Sequence, residues 1–132
     1  MTSTLGIAIS GLNAASLRAS VSANNIANAR TTSVTQAGET KSSGPYIPKD
    51  VIHTPQTTGG VLAHVVDVEI DPVQEYEPLH SQADSSGFVA YPNVDLADEL
   101  VKLDEARMQY ISNLKTIESQ KDVSGVLLDI FV

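Results

Sequence analysis

Three histidines, His53, His64 and His80, are the only imidazoles in the chain, so a metal or general-base site would have to be built around them. A zinc-type site needs three or four converging His, Cys or carboxylate ligands. His64 and Asp67 lie three apart on a segment that reads as a strand, so they point to opposite faces. His80 and Asp84 are four apart in a loop and can meet. A lone loop His beside an Asp is far more often a solvated pair than a ligand set. The chain has no cysteine, which removes disulfides and thiolate metal sites. There is no Gly-x-Ser-x-Gly elbow and no phosphate-binding loop, and no serine has His and Asp at an informative spacing. Thr58-Gly59-Gly60 reads as a hairpin turn. "DVEIDPVQEYE" reads as a solvated acidic stretch. The residue types for catalysis are present without a constellation, so neither enzymatic activity nor a cofactor is expected.

Amides carry the more unusual signal. "SANNIANARTT" puts Asn24, Asn25 and Asn28 at the end of a helical pattern, around Ile26, which should face a core. Asparagine competes with the helix for backbone hydrogen bonds, and a buried amide must meet a partner or cost about 1–3 kcal/mol. A single Asn on a helix seam fixes register at a cost in stability. The expectation is that Asn25 and Asn28 set the axial register of the terminal helices and end the N-terminal helix, with Asn24 exposed; the alternative is that all three simply terminate the helix, where Asn is also favoured.

The elements that must position these residues fall into three parts. From about Thr4 to Asn28, Leu5, Ile9, Leu12, Ser16, Ala19, Ala23 and Ile26 recur at alternating spacings of four and three, a heptad seam of mostly small residues. Gly6 and Gly11 each cost about 1 kcal/mol relative to Ala, so this helix needs partners along its length. The segment "RTTSVTQAGETKSSG" reads as a flexible loop. "YIPKDVIHT", "GVLAHVVDVEID" and "GFVAY" then read as three strands of a small sheet, the middle one apolar on both faces and expected to be covered. Finally, Pro92-Asn93 and Asp95 offer caps for a long helix. Its seam is Leu96, Leu100, Leu103, Arg107, Tyr110, Leu114 and Ile117, with Val101, Met108 and Ile111 as a second apolar edge. Asp98 and Lys102 form an outward i,i+4 pair. The stripe shifts register near Gly125 and resumes at Val123, Leu127 and Ile130, and the helix is expected to run to the chain terminus. The fold class expected is α+β. Terminal helices, 1–33 and 93–132, pair antiparallel as one helical core, and a loop and small β-rich domain, 34–92, are inserted between them. One pair is too thin to bury both edges of the second helix, and the surplus calls for other copies or other proteins.

Composition agrees with thin packing. The chain has 132 residues, one ordinary domain's length, 42% apolar and only 5% aromatic. A net charge of -8 argues against nucleic acid, which demands a basic face. The N-terminal segment holds Arg18 and Arg30 with no acid before Glu39, whereas the part after Val94 is acidic, so either the two attract each other or both are ordinary solvated faces. No secretory signal and no apolar run long enough to span a membrane is evident.

At this point the residues reach a resemblance. "LNAASLRASVSANNIANARTT" resembles the N-terminal motif A-L-x-A…N-[IL]-A-N…T of bacterial flagellar axial proteins, the family of rod, hook and hook-associated subunits. "YEPLHSQADSSGFVAYPNVDLADEL" is similar to Y-[DE]-P…A-D-x-x-G-[FY]-V…P-N-V-D of its proximal rod branch. "EARMQYISNL", ending on the motif's Asn113, and "GPYIPKDVIH" extend the likeness over nearly the whole chain. It departs at Met108, where Arg is usual with Arg107 one place early, and at Ser81, where Pro is common. The resemblance implies a non-catalytic subunit of the flagellar basal-body rod, without cofactor, that transmits torque across the periplasm. It implies helical stacking, with terminal helices bundled around an export channel and the β-rich part outside. The partners implied are other copies, other proximal and distal rod proteins, the adaptor to the MS ring and the flagellar type III export apparatus. Export would occur without a cleaved signal and without membrane insertion. Subunit packing would fall on the seam residues, and Asn25, Asn28, Asn93 and Asn113 would serve register or motif roles. Two alternatives stand beside this: a different axial subunit, or a binding module that dimerises through its long helix.

Overall fold

In the computed structural model, which describes residues 4–32 and 44–130, the chain runs α1 (Thr4–Asn28), β1 (Lys49–Pro55), β2 (Val61–Asp67), β3 (Val73–Tyr76), β4 (Phe88–Tyr91) and α2 (Leu96–Ile130). The class is α+β. Most of the expected loop, 33–43, lies outside the described residues, as do the side chains of Leu127 and Ile130 and the last two residues.

The expected single sheet of three strands is replaced by two separate antiparallel ribbons, β1–β2 and β3–β4. β3 lies in the stretch "DVEIDPVQEYE", whose sequence reads as solvated and acidic. "VQEY" is too short and too polar to show alternation, and it becomes a strand because it pairs Val73 with Tyr91 and Tyr76 with Phe88. The first ribbon pairs Lys49 with Asp67 and Pro55 with Val61. Its turn closes with Gly59 N–H donating to the Gln56 carbonyl at 2.9 Å, and Gly59 and Gly60 both adopt positive φ, as the hairpin reading requires. β2 is not a covered strand: Leu62 and Val65 are exposed, because a two-stranded ribbon covers one face of each strand at most.

α2 starts where Asp95 Oδ1 accepts the Ala97 and Asp98 amides, at 2.9 and 3.3 Å, an N-cap in the usual sense. It runs unbroken for 35 residues through Gly125, where an added Cβ would meet open space among the described residues. The Asp98–Lys102 pair forms at 2.9 Å, and Glu99 joins it at 3.1 Å, so the nearby carboxylates, Asp98 foremost, raise the Lys102 pKa.

α1 and α2 pack antiparallel: Gly11 faces Asn113, and Arg18 reaches Glu105 and Gln109. The buried set is thin: Ala8, Ala14, Ala15 and Val21 on α1, Ala106 on α2, and Val51, Val89 and Tyr91 in the ribbons.

Candidate functional site

α1 presents three faces, each with a different task. Ala8, Gly11, Ala15 and Ser22 form the seam against α2. At Gly11 an added Cβ would sit 2.7 Å from both amide atoms of Asn113, so glycine permits the close approach. On α2 the matching seam is Glu99, Lys102, Ala106 and Asn113, with Ala106 fully buried. Arg18 crosses this seam to Glu105 at 3.3 Å and Gln109 at 3.2 Å, which is where the basic N-terminal segment meets the acidic C-terminal one.

The second face, which carries Ser10, Ala14 and Val21, lies against the β1–β2 ribbon. Ser10 Oγ accepts the Val61 amide at 3.1 Å at the turn end of the ribbon. Asn25 holds the other end. Its Nδ2 donates to the Lys49 carbonyl at 2.7 Å, and its Oδ1 accepts from the Lys49 amide at 3.0 Å and the Tyr46 hydroxyl at 2.9 Å. Asn25 is 1% exposed, and burial pushes the Tyr46 hydroxyl up, keeping it a donor. Ser10 and Asn25 are about 22 Å apart along the helix at 1.5 Å per residue. Lys49 and Pro55 are about 20 Å apart along the strand. The ribbon is therefore pinned at both ends to the same helix.

This corrects two expectations. The buried residue at the helix end is Asn25, not Ile26, which is only half-buried. Within the chain, Asn25 directs its hydrogen bonds to the ribbon, so it registers α1 against β1 rather than helix against helix. Asn28 bonds its own helix end, donating to the Asn24 carbonyl at 2.9 Å and accepting from Thr31 Oγ1 at 3.1 Å. Asn24 is exposed, as expected.

The third face holds the seam read from the sequence, and it turns outward. Leu5 and Ile9 are exposed, and Leu12 and Ile26 are half-buried. On α2, Leu96, Leu100, Tyr110 and Leu114 are exposed, Leu100 to 57%, while Leu103 and Ile117 are half-buried. On each helix the observed intrachain seam lies one residue earlier than the expected one: Ala8 and Ala15 for Ile9 and Ser16, Ala106 and Asn113 for Arg107 and Leu114. One residue is about 100° of rotation. Because the helices are antiparallel, a forward step on each turns both faces to the same side of the pair, opposite the ribbon. The result is a largely apolar surface along both helices, interrupted by Ser16 and Arg107, with Met108 and Ile111 beside it.

A second set of contacts ties the end of α1 to the β3–β4 ribbon. The Arg30 guanidinium pairs with Glu75 at 3.2 Å and Glu77 at 3.7 Å, and lies 4.7 Å from the centre of the Tyr91 ring. The Tyr91 hydroxyl donates to Glu77 at 3.2 Å. Beyond β3, Asp84 organises the loop: its Oδ1 accepts the Phe88 amide at 2.9 Å and the Ser86 amide at 2.8 Å, holding its pKa below the ordinary 3.8. Gly87 takes positive φ, and a Cβ there would meet Tyr76 at 2.9 Å. The spacing A-D-x-x-G-[FY] is thus a loop-closing device.

The candidate chemical groups do not converge. His80 Nδ1 accepts the Gln82 amide at 3.1 Å, and Asp84 is committed to its loop amides. His53 and His64 are exposed on the first ribbon, and Asp67 pairs with Lys49. Asn93 donates a long bond, 3.4 Å, to the Asp71 carbonyl, and Asn113 donates to the Gln109 carbonyl at 2.9 Å. Sequence reading missed Ser10, Gly11, Arg30 and Tyr46 as positioning residues. Tyr46 carried a signal in "GPY", and Arg30 carried one as a base in a segment otherwise without charge partners, though its partners are Glu75 and Glu77 rather than the acids after Val94.

Comparison with known proteins gives a consistent picture. The family described as flagellar basal body rod FlgEFG protein C-terminal matches residues 85–130. The chain is 36% identical to the flagellar basal-body rod protein FlgC of Agrobacterium fabrum, over 94% of this chain and 90% of the relative. It is 36% identical to FlgC of Salmonella typhimurium, over 89% and 87%, and 29% identical to FlgC of Borreliella burgdorferi, over 92% and 91%.

Proposed function

Because this chain belongs to the FlgC family of flagellar basal-body rod proteins, a structural subunit of the rod, we propose that its terminal helices pack through their outward apolar faces against other subunits. The observation that carries this reading is the outward exposure of Leu5 and Ile9 on α1 and of Leu100, Tyr110 and Leu114 on α2. Large apolar side chains stay in water on the face away from the ribbon, while small residues build the contact inside the chain. Exposed apolar area on this scale marks an interaction surface.

The partners that fit are further copies of the chain, other proximal and distal rod proteins and the adaptor joining rod to MS ring. In such a stack the helices line the export channel, the ribbons face outward in the periplasm, and torque passes along the helices. The chain reaches that place through the flagellar type III export apparatus. Its role is mechanical rather than catalytic, and it needs no cofactor.

The test is a chromosomal Leu114→Asp substitution, scored by swimming and by micrographs of purified basal bodies. The charge must be desolvated when the face is covered, at a cost of several kcal/mol. Cells are expected to export the variant and lack complete rods. Normal rods and motility would overturn the reading of this face.

A further inference from the structure

The β3–β4 ribbon carries an apolar knob at one end and an apolar hole at the other. The knob is Leu79. It is 100% exposed, as open to water as in an extended peptide, yet it is not on a loose segment. His80 N–H donates to the Glu77 carbonyl at 3.0 Å across Glu77-Pro78-Leu79-His80, and Ala83 N–H to the His80 carbonyl at 3.0 Å. With Pro78 at the second position of the turn and no positive φ, the turn is of the common proline-favoured kind and holds Leu79 at its apex. Pro78 in turn lies against Gly87, where an added Cβ would be 3.1 Å from it.

The hole lies at the opposite, open end of the ribbon. It is a groove of about 580 Å³ lined chiefly by Ile47, Pro48, Ile70, Pro72 and Pro92. Ile47 and Ile70 are each about half exposed. Proline-rich walls offer few N–H donors, which suits an aliphatic occupant. The rims are complementary too. The groove's edge carries the exposed carboxylates of Glu69 and Asp71. Beside Leu79, His80 accepts the Gln82 amide at Nδ1, which leaves its ring proton on Nε2 as a donor.

We propose that Leu79 of one copy seats in the Ile47–Ile70 groove of a second copy, with His80 donating to the acidic rim. Knob and hole sit at opposite ends of one ribbon, and in a rod-like stack the contact is heterologous: each copy gives with one end and receives with the other. Such a contact continues as an open series where its rotation does not close a ring, whereas a reciprocal exchange between two copies would stop at a dimer. The choice of a second copy as occupant rests on the rod reading, and it adds an outer contact between ribbons to the inner one between helices.

The chain's lack of cysteine makes a direct test clean. The full chain carrying both Leu79→Cys and Ile70→Cys is concentrated and treated with a mild oxidant, beside a control carrying Thr57→Cys and Ile70→Cys. All three positions are exposed, so circular dichroism should be unchanged. Docking raises the local thiol concentration, and the expected result is a ladder beyond dimer, about tenfold stronger than the control. Equal ladders would overturn the proposal. So would a Leu79→Cys single variant that gives dimers as efficiently as the double variant gives its ladder, because that would mean knob against knob. Either failure would leave the helix-face reading intact, since that is scored separately by Leu114→Asp in cells.

Discussion

Asn25 joins α1 to the first ribbon through a buried amide. Three hydrogen bonds converge on it, two from Lys49 at the start of β1 and one from the Tyr46 hydroxyl just before it. Asn25→Ala removes all three and leaves the Lys49 amide and carbonyl without partners. The expected loss is about 2–3 kcal/mol, read by denaturant unfolding and by faster amide exchange at Lys49. Asn28→Ala should change stability by less than about 0.5 kcal/mol, as expected for an exposed helix end. Gly11 offers a coupled test. Gly11→Ala gains about 1 kcal/mol of helix propensity but drives a Cβ into the Asn113 amide. In an Asn113→Ala background the clash is gone, so the same substitution should stabilise by about 1 kcal/mol, and the double-mutant cycle measures the difference. Asp84 gives a pH dependence. Its folded pKa is depressed, so its contribution is present above the unfolded value and is lost as pH falls through the folded one. Acid titration should therefore loosen the 84–88 loop only below about pH 4, seen as a shift of the Phe88 and Ser86 amide resonances. Asp84→Ala should abolish that titration step.

Both helices were legible in the sequence, because a 25-residue and a 35-residue apolar period cannot be mistaken for strand. Three of the four strands and the Gly59-Gly60 turn were legible for the same kind of reason. The face of each helix was read one residue late. Pattern reading weights Leu and Ile, and here those residues mark the outward face. The intrachain seam is built from Ala, Gly, Ser and Asn, which carry almost no hydropathy signal. Nor could composition show that Asn25 faces a strand, since its partners are backbone groups of Lys49. The two faces separate experimentally. Ala15→Leu overpacks the intrachain seam and should cost about 1–3 kcal/mol in the isolated chain, measured by chemical denaturation. Leu100→Asp, on the outward face at 57% exposure, should leave that midpoint within about 0.5 kcal/mol while blocking assembly.

At the scale of the whole molecule, α1 is the spine. The first ribbon is pinned to it by Ser10 and Asn25, the second by Arg30, and α2 by Gly11 and Arg18. The pairing of Gly11 with Asn113 places Thr4 near Gln120, so α2 continues past the start of the described α1. Residues 121–126 are exposed on every side. Amide exchange in the isolated chain should accordingly be slowest near Ala106 and fast beyond Lys121, because a helix without tertiary cover is marginal. Protection equal at both places in a monomer would contradict this picture of the pair.

The two pins on the first ribbon have a mechanical consequence. A ribbon tied to a shaft at one point swings about that point, and one tied at both ends of its length can only shear. Sliding the ribbon along α1 loads the two Asn25–Lys49 bonds together with the Ser10 bond. Bonds loaded in parallel fail at higher force than bonds peeled one after another. Pulling between attachment points at Asn13 and Thr57, both exposed, should give a lower rupture force in Asn25→Ala than in the native chain. A push on the ribbon along the helix therefore arrives at α1 with little lost to slip between the two layers.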